Sequence, residues 1–239
     1  MAEAHPGSAA RLRLHQLVSP ALPVGAFSYS EGLEALQQAG QLADAAAVRA
    51  WLEAELAAGA LAVEAAALRP LGEHLAAWRQ AQAEPQAQLA AEQVLELDGW
   101  LLAQREAPEL RAQQRQMGGS LLQLLADLGW PLPSPLPAQA PLAWPAAFAW
   151  AGLCLGIAPL ELLEAYLYGW LANQISAAVR LVPLGPTEAQ RLQLALAPLI
   201  AARAEQLLLA EPRALWSSGV GAGLAQLGHA ELYSRLFRS

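Results

Sequence analysis

Leu110, Met117, Leu121, Leu124, Leu125 and Leu128 fall on one stripe of a 3.6-residue helix, and Leu192, Leu196 and Leu199 repeat the pattern further along. Period-two alternation, the mark of a half-buried strand, is hard to find anywhere. Ala and Leu dominate the periodic segments and β-branched runs are absent, so intrinsic propensity points the same way as the pattern. Together they predict an all-α fold, a single-domain bundle of about ten helices. The spans fall near 12–18, 30–39, 44–69, 71–83, 86–105, 108–128, 146–157, 160–182, 187–209 and 214–227.

Helix ends carry their own chemistry. Ser28 with Glu31, and Thr187 with Gln190 after Pro186, have the spacing of capping boxes. Asp44 is positioned to cap the helix bearing Val48, Trp51, Leu52 and Leu56, and Gly40 to end the preceding one. Prolines crowd the stretch 131–145, which reads as an extended surface loop joining two halves of one bundle.

Composition narrows the function. The 239 residues are enough for one sizeable core, and 55% of them are hydrophobic against 15% charged. Acidic residues number 21 and basic ones 14, so there is no electrostatic footprint for nucleic acid. Every basic residue is Arg; without Lys there is no Schiff-base lysine and no Walker-type phosphate-binding lysine. Cys154 stands alone, which excludes an intrachain disulfide and a multi-cysteine metal centre and fits a reducing cytoplasm. Residues 1–10 read as a flexible terminus and not as a secretory signal. The uncharged run from Leu128 to Leu160 is broken by proline and lacks flanking Arg, so it predicts a buried helix and no membrane span.

Catalytic machinery does not assemble from these residues. Ser28 and Ser30 lack the surroundings of a nucleophile elbow, and Cys154 lies in an apolar stretch that keeps a thiol protonated. His5, His15, His74 and His229 show no metal-ligand spacing. No catalytic residue, cofactor site or stable metal site is therefore expected.

Recognition is better served. The segment 229–239 holds Tyr233, Arg235, Leu236, Phe237 and Arg238, residue types that anchor interfaces, where an ordinary frayed end would be more polar. It is expected to be mobile alone and to order on a partner. In the loop 19–29, Pro20, Pro23 and Gly25 present Phe27 and Tyr29 from a stiff scaffold, with Tyr29 equally suited to the chain's own core and to an interface. Arg180, the first base after Arg115, requires a carboxylate or carbonyl partner, within the chain or across an interface.

Four segments carry a resemblance. Leu14 to Glu34 reads LHQLVSPALPVGAFSYSEGLE, Tyr166 to Arg191 reads YLYGWLANQISAAVRLVPLGPTEAQR, Arg115-Gln-Met-Gly118 precedes Leu121-Leu122, and Tyr233 to Ser239 reads YSRLFRS. These resemble, in order and over essentially the whole chain, the signature stretches of the urease accessory protein UreF family. The chain departs from the family at Pro186 and Ala189, and Ala143-Trp144-Pro145 stands where the family has His-Tyr-Pro, so no histidine role carries over there.

The resemblance implies a non-catalytic, cytoplasmic, homodimeric adaptor. It would bind the UreD/UreH accessory protein and with it recruit the GTPase UreG during nickel insertion into apo-urease. Nickel would be handled by the pathway without stable binding here. The partner-binding residues expected are Tyr29, Arg180, Tyr233, Arg235, Leu236, Phe237 and Arg238. Two other readings remain: a helical enzyme with an apolar pocket lined by Trp144, Trp150, Tyr166 and Trp170, and a helical interaction domain unrelated to nickel.

Overall fold

A computed structural model describes residues 6–133 and 141–239. Among these it contains ten α-helices and no strand. They are α1 (Pro6–Leu17), α2 (Leu33–Gln38), α3 (Ala45–Ala58), α4 (Ala60–Gln80), α5 (Glu84–Ala103), α6 (Pro108–Asp127), α7 (Trp144–Leu155), α8 (Pro159–Leu181), α9 (Pro186–Leu208) and α10 (Val220–His229). Short 3-10 turns lie at Ala26–Ser28 and Pro212–Ala214.

The centre is built from α4 and α7. In α7 every residue from Pro145 to Gly152 is buried, as a helix apolar on all sides must be; in α4 the run Leu61–Leu68 is buried likewise. Helix α4 packs on α5, α7, α8 and α9, α6 lies along α7, and α10 closes one end against α2 and α6. Each fully buried Leu in this core, such as Leu52, Leu68 or Leu163, contributes about 1.5–3 kcal/mol relative to exposure. No helix among the described residues is long and apolar enough to cross a membrane.

Local signals account for most boundaries. The Asp44 side chain accepts the Ala47 amide at 2.9 Å and starts α3, whose Val48, Leu52 and Leu56 face inward. Gly40, at φ 73°, ends the segment after α2. Proline occupies the first turn of α5, α6, α7, α8 and α9, where its missing N–H and fixed φ cost nothing. Arg115 and Gly118 explain the RQMG element: the guanidinium reaches the Pro141 carbonyl and Asp98, and a Cβ at Gly118 would collide with the Leu142 carbonyl.

Some expectations need correction. The predicted helix 44–69 is broken at Gly59, whose ψ of 172° is extended, and α4 then runs straight through Pro70. A proline inside a helix costs about 3 kcal/mol, and here burial of α4 on both sides of it offsets that cost. Neither predicted capping box forms. Ser28 sits in a 3-10 turn, Glu31 leaves helical geometry altogether, and α9 starts at Pro186 without a side-chain cap. Helix α1 begins at Pro6, inside the expected flexible terminus, whose first five residues lie outside the described ones. Of the proline-rich stretch, 134–140 lies outside the described residues, whereas Leu142 and Ala143 are buried and Pro145 is already helical.

Candidate partner-binding site

The loop between α1 and α2 turns three times in the left-handed region, at Gly25 (φ 74°), Glu31 (φ 53°) and Gly32 (φ 90°). Gly32 is required twice over, since a Cβ there would also strike the backbone amide of Gln226. Glu31 has no such exemption, and a left-handed L-residue costs about 1–2 kcal/mol. Its partners hold it there. The Glu31 carboxylate accepts from Gln113 Nε2 at 2.7 Å and from Trp170 Nε1 at 3.0 Å, and its carbonyl accepts from Gln226 Nε2 at 3.4 Å.

The remaining partner of Glu31 is the tail. Ser239 O accepts the Ser30 amide at 2.7 Å, the Ser30 hydroxyl at 2.6 Å and the Glu31 amide at 3.1 Å. The Arg238 amide donates to Ser28 O at 2.8 Å, and Ser239 Oγ donates to Gln113 Oε1 at 2.7 Å. One turn along α2, the buried Glu34 carboxylate accepts the Leu236 amide at 2.7 Å and the Phe237 amide at 3.0 Å. Phe237 is buried beneath Arg180, whose guanidinium carbon lies 4.4 Å from the ring centroid. Arg235 pairs with Glu109 at 2.6 Å. The expectation of a tail free in the isolated chain therefore meets a different finding: 234–239 is folded against the first loop and α2, because the buried Glu34 carboxylate, Ser28 and Ser30 satisfy its backbone.

The predicted contact residues separate into two sets. Tyr29 and Phe237 are buried, and the Tyr29 hydroxyl donates to Gln116 Oε1 at 2.9 Å, so of its two suggested places the chain's own core is the one it occupies. Arg180 finds a carbonyl, Phe27 O at 3.4 Å, beside its ring contact. Tyr233 is fully exposed, Leu236 about half exposed, and Arg238 points outward. Leu224 and Val220 on α10, and Trp216 before it, are also exposed.

Behind the loop lies a buried polar cluster. Glu64 accepts from Arg105 at 2.7 Å, from the Tyr166 hydroxyl at 2.8 Å and from Gln114 Nε2 at 3.3 Å. Burial alone would depress the Arg105 guanidinium, but the Glu64 and Glu31 carboxylates outweigh it and raise its pKa. Tyr166 is pushed well above the ordinary phenol value by burial and by Glu64, so it remains a donor. Glu55, buried nearby, is raised to about 7 by desolvation, against the lowering effect of Arg105.

A cavity of about 460 Å³ opens beside this cluster and is lined by Trp144, Phe148, Tyr166 and Trp170. Trp150, the fourth aromatic expected there, turns away and donates its indole N–H to Trp130 O at 3.0 Å. The Cys154 thiol lies elsewhere, pushed up to about 11 by burial. No group of three His, Cys, Asp or Glu side chains among the described residues is placed to hold a metal ion.

Glu31, Glu34, Glu109, Gln113, His229 and Ser239 do the positioning and were not singled out for it by sequence reasoning. The one available signal was the pair of acids Glu31 and Glu34 beside a tail rich in unsatisfied backbone donors, and spacing alone assigned Glu31 to a cap.

The comparisons agree with the resemblance. The UreF family model matches residues 42–197. The urease accessory protein UreF of Alkalilimnicola ehrlichii is 42% identical over 238 residues, 99% of this chain and 99% of its own length. That of Synechocystis is 40% identical over 237 residues, covering 96% and 98%, and that of Thermosynechococcus vestitus 41% over 232 residues, covering 96% and 98%. With near full-length identity of this order and a family model spanning more than half its residues, this chain belongs to the UreF family of urease accessory proteins.

Proposed function

We propose that this chain is a non-catalytic adaptor of urease maturation, which joins the UreD/UreH accessory protein to the GTPase UreG while nickel is inserted into apo-urease. The observation that carries this reading is the closing segment itself. Its backbone and Phe237 are pinned to the body, so Tyr233, Leu236 and Arg238 are held outward on a pre-ordered frame. Pre-ordering lowers the entropic cost of association, and exposed aromatic and apolar anchors supply its energy. UreD/UreH is the partner assigned to this surface.

The chain works as a homodimer in the cytoplasm, binds neither nucleic acid nor membrane, and leaves GTP hydrolysis and nickel to its partners. By holding two proteins at once it raises their effective concentration and restricts their approach. Tyr29 and Arg180 act by seating Phe237 and the first loop. Arg235 has its charge engaged by Glu109 and contributes orientation.

Co-purification with UreD/UreH and UreG, followed by urease activation with and without this chain, tests the reading. The double variant Tyr233→Ala, Leu236→Ala should fold normally and lose at least about ten-fold in UreD/UreH capture. Unchanged capture, or full urease activation without the chain, overturns it.

A further inference from the structure

The cavity of about 460 Å³ is lined by α4, α6, α7 and α8 and by the first loop, a size that falls within the range of small-molecule sites. One wall is aromatic. The Trp144 and Phe148 centroids stand 5.3 Å apart, and Tyr166 meets the Phe148 ring edge-on at 5.2 Å. Trp170 adds a fourth ring, its indole N–H turned to Glu31.

The charged groups in the lining are of one sign. Glu31 and Glu64 line the cavity, and no Arg or His stands among the described residues that do. Arg105, which pairs with Glu64 at 2.7 Å, lies outside the lining, and with it the two carboxylates sum to one negative charge. Burial raises the Glu64 carboxyl above its ordinary value, against the lowering effects of Arg105 and Tyr166. One acceptor is also unspent. Gln114, only 5% exposed, gives its Nε2 to Glu64 Oε1 at 3.3 Å, which fixes the orientation of the amide, and its Oε1 has no hydrogen-bond partner. A buried acceptor in this state is completed by a donor that the chain itself does not supply.

We propose that this cavity is a binding site for a small organic ammonium ion, whose N–H donates to Gln114 Oε1 while its apolar body lies against Trp144, Phe148 and Tyr166. Its charge answers the excess carboxylate, and ring faces attract a desolvated cation. An organic anion would meet like charge. A divalent metal ion is poorly served, because both carboxylates are already engaged as acceptors and no third His, Cys, Asp or Glu among the described residues joins them. The site does not rest on the adaptor function proposed above. Glu31, which lines the cavity and whose amide donates to Ser239 O, is where an occupant would bear on the tail.

The test uses the isolated full chain and three probes of similar shape: phenethylammonium, neutral 2-phenylethanol and anionic 3-phenylpropionate. ¹⁵N–¹H spectra of the tryptophan indoles report affinity and place together, since Trp144 and Trp170 line the cavity and Trp216, 92% exposed, does not. Phenethylammonium should shift the Trp144 and Trp170 signals with a Kd below about 1 mM and leave Trp216 unmoved. The other two probes should bind at least about ten-fold more weakly.

Gln114→Leu should weaken phenethylammonium roughly ten-fold through loss of the acceptor. Trp144→Leu, at a half-buried position outside the polar cluster, should weaken it about five-fold and decides the matter should Gln114→Leu fail to fold; thermal melts run alongside establish which variants are folded. Equal affinity for the three probes, no shift at Trp144 and Trp170 up to about 10 mM, a shift confined to Trp216, or unchanged affinity in folded Trp144→Leu each overturns the site. Displacement of phenethylammonium by nickel(II) overturns it as well, by assigning the cavity to a metal ion.

Discussion

Glu34 and Phe237 stand 203 positions apart in the chain, and the buried carboxylate of one accepts the backbone amide of the other at 3.0 Å. The same carboxylate takes the Leu236 amide and faces His229, so a single acid joins α2, α10 and the closing segment.

Glu34→Ala should therefore do more than remove a side chain. It leaves two backbone donors and a buried imidazole without their acceptor, and the loss of one partner from such a group costs about 3–5 kcal/mol. Urea denaturation should show this order of destabilisation, with limited proteolysis releasing residues after His229 well before the body unfolds.

The Arg180 contact with Phe237 is measurable by a double-mutant cycle. Arg180 is exposed, so the guanidinium over the ring should couple to it by about 0.5–1 kcal/mol. Phe237→Ala alone should cost roughly 2–4 kcal/mol, near the lower end for a buried Phe because the segment is terminal. A coupling of zero in urea titrations of the four variants would remove Arg180 from the tail's support.

Glycines give a matched pair. Gly118→Ala forces a Cβ into the Leu142 and Ala143 carbonyls where α6 meets the start of α7, and should lower stability by about 1–3 kcal/mol. Gly72→Ala in α4 meets nothing within 4 Å and should raise it by roughly 0.5–1 kcal/mol through helix propensity. Thermal melts should move in opposite directions.

Glu55 sets a pH dependence of stability. Its pKa is raised from 4.5 to about 7 by desolvation, so between those values the folded chain binds a proton that the unfolded chain has released. The stability it contributes is complete below 4.5 and lost as pH rises through about 7. Glu55→Gln should then exceed the wild type above pH 7 by on the order of 1–3 kcal/mol and show a flatter profile below it. A melt at pH 8 in which Glu55→Gln is less stable than wild type would show that the charged carboxylate is used by the fold.

The residues by themselves determined the all-α class, most helix spans, the cap at Asp44 and the stop at Gly40, because propensity, apolar period and capping act within one or two turns of chain. They also identified the family, through motifs read in order along the chain. They misplaced what depends on distance. Gly59 breaks a helix that Pro70 does not, since packing on both faces of α4 outweighs a local penalty. Glu31 reads as a capping acid and is instead a left-handed, buried acceptor, because Gln113, Trp170 and Ser239 arrive from three other parts of the molecule. The tail reads as free for the same reason: its aromatic and basic residues are visible in the sequence, but the acceptors that pin its backbone, the Glu34 carboxylate and Ser28 O, become its neighbours only when the chain's two ends meet. Tertiary structure alone decided which tail side chains face inward and which remain outside, because that choice follows from satisfying buried backbone donors, and no spacing rule records where those acceptors will be.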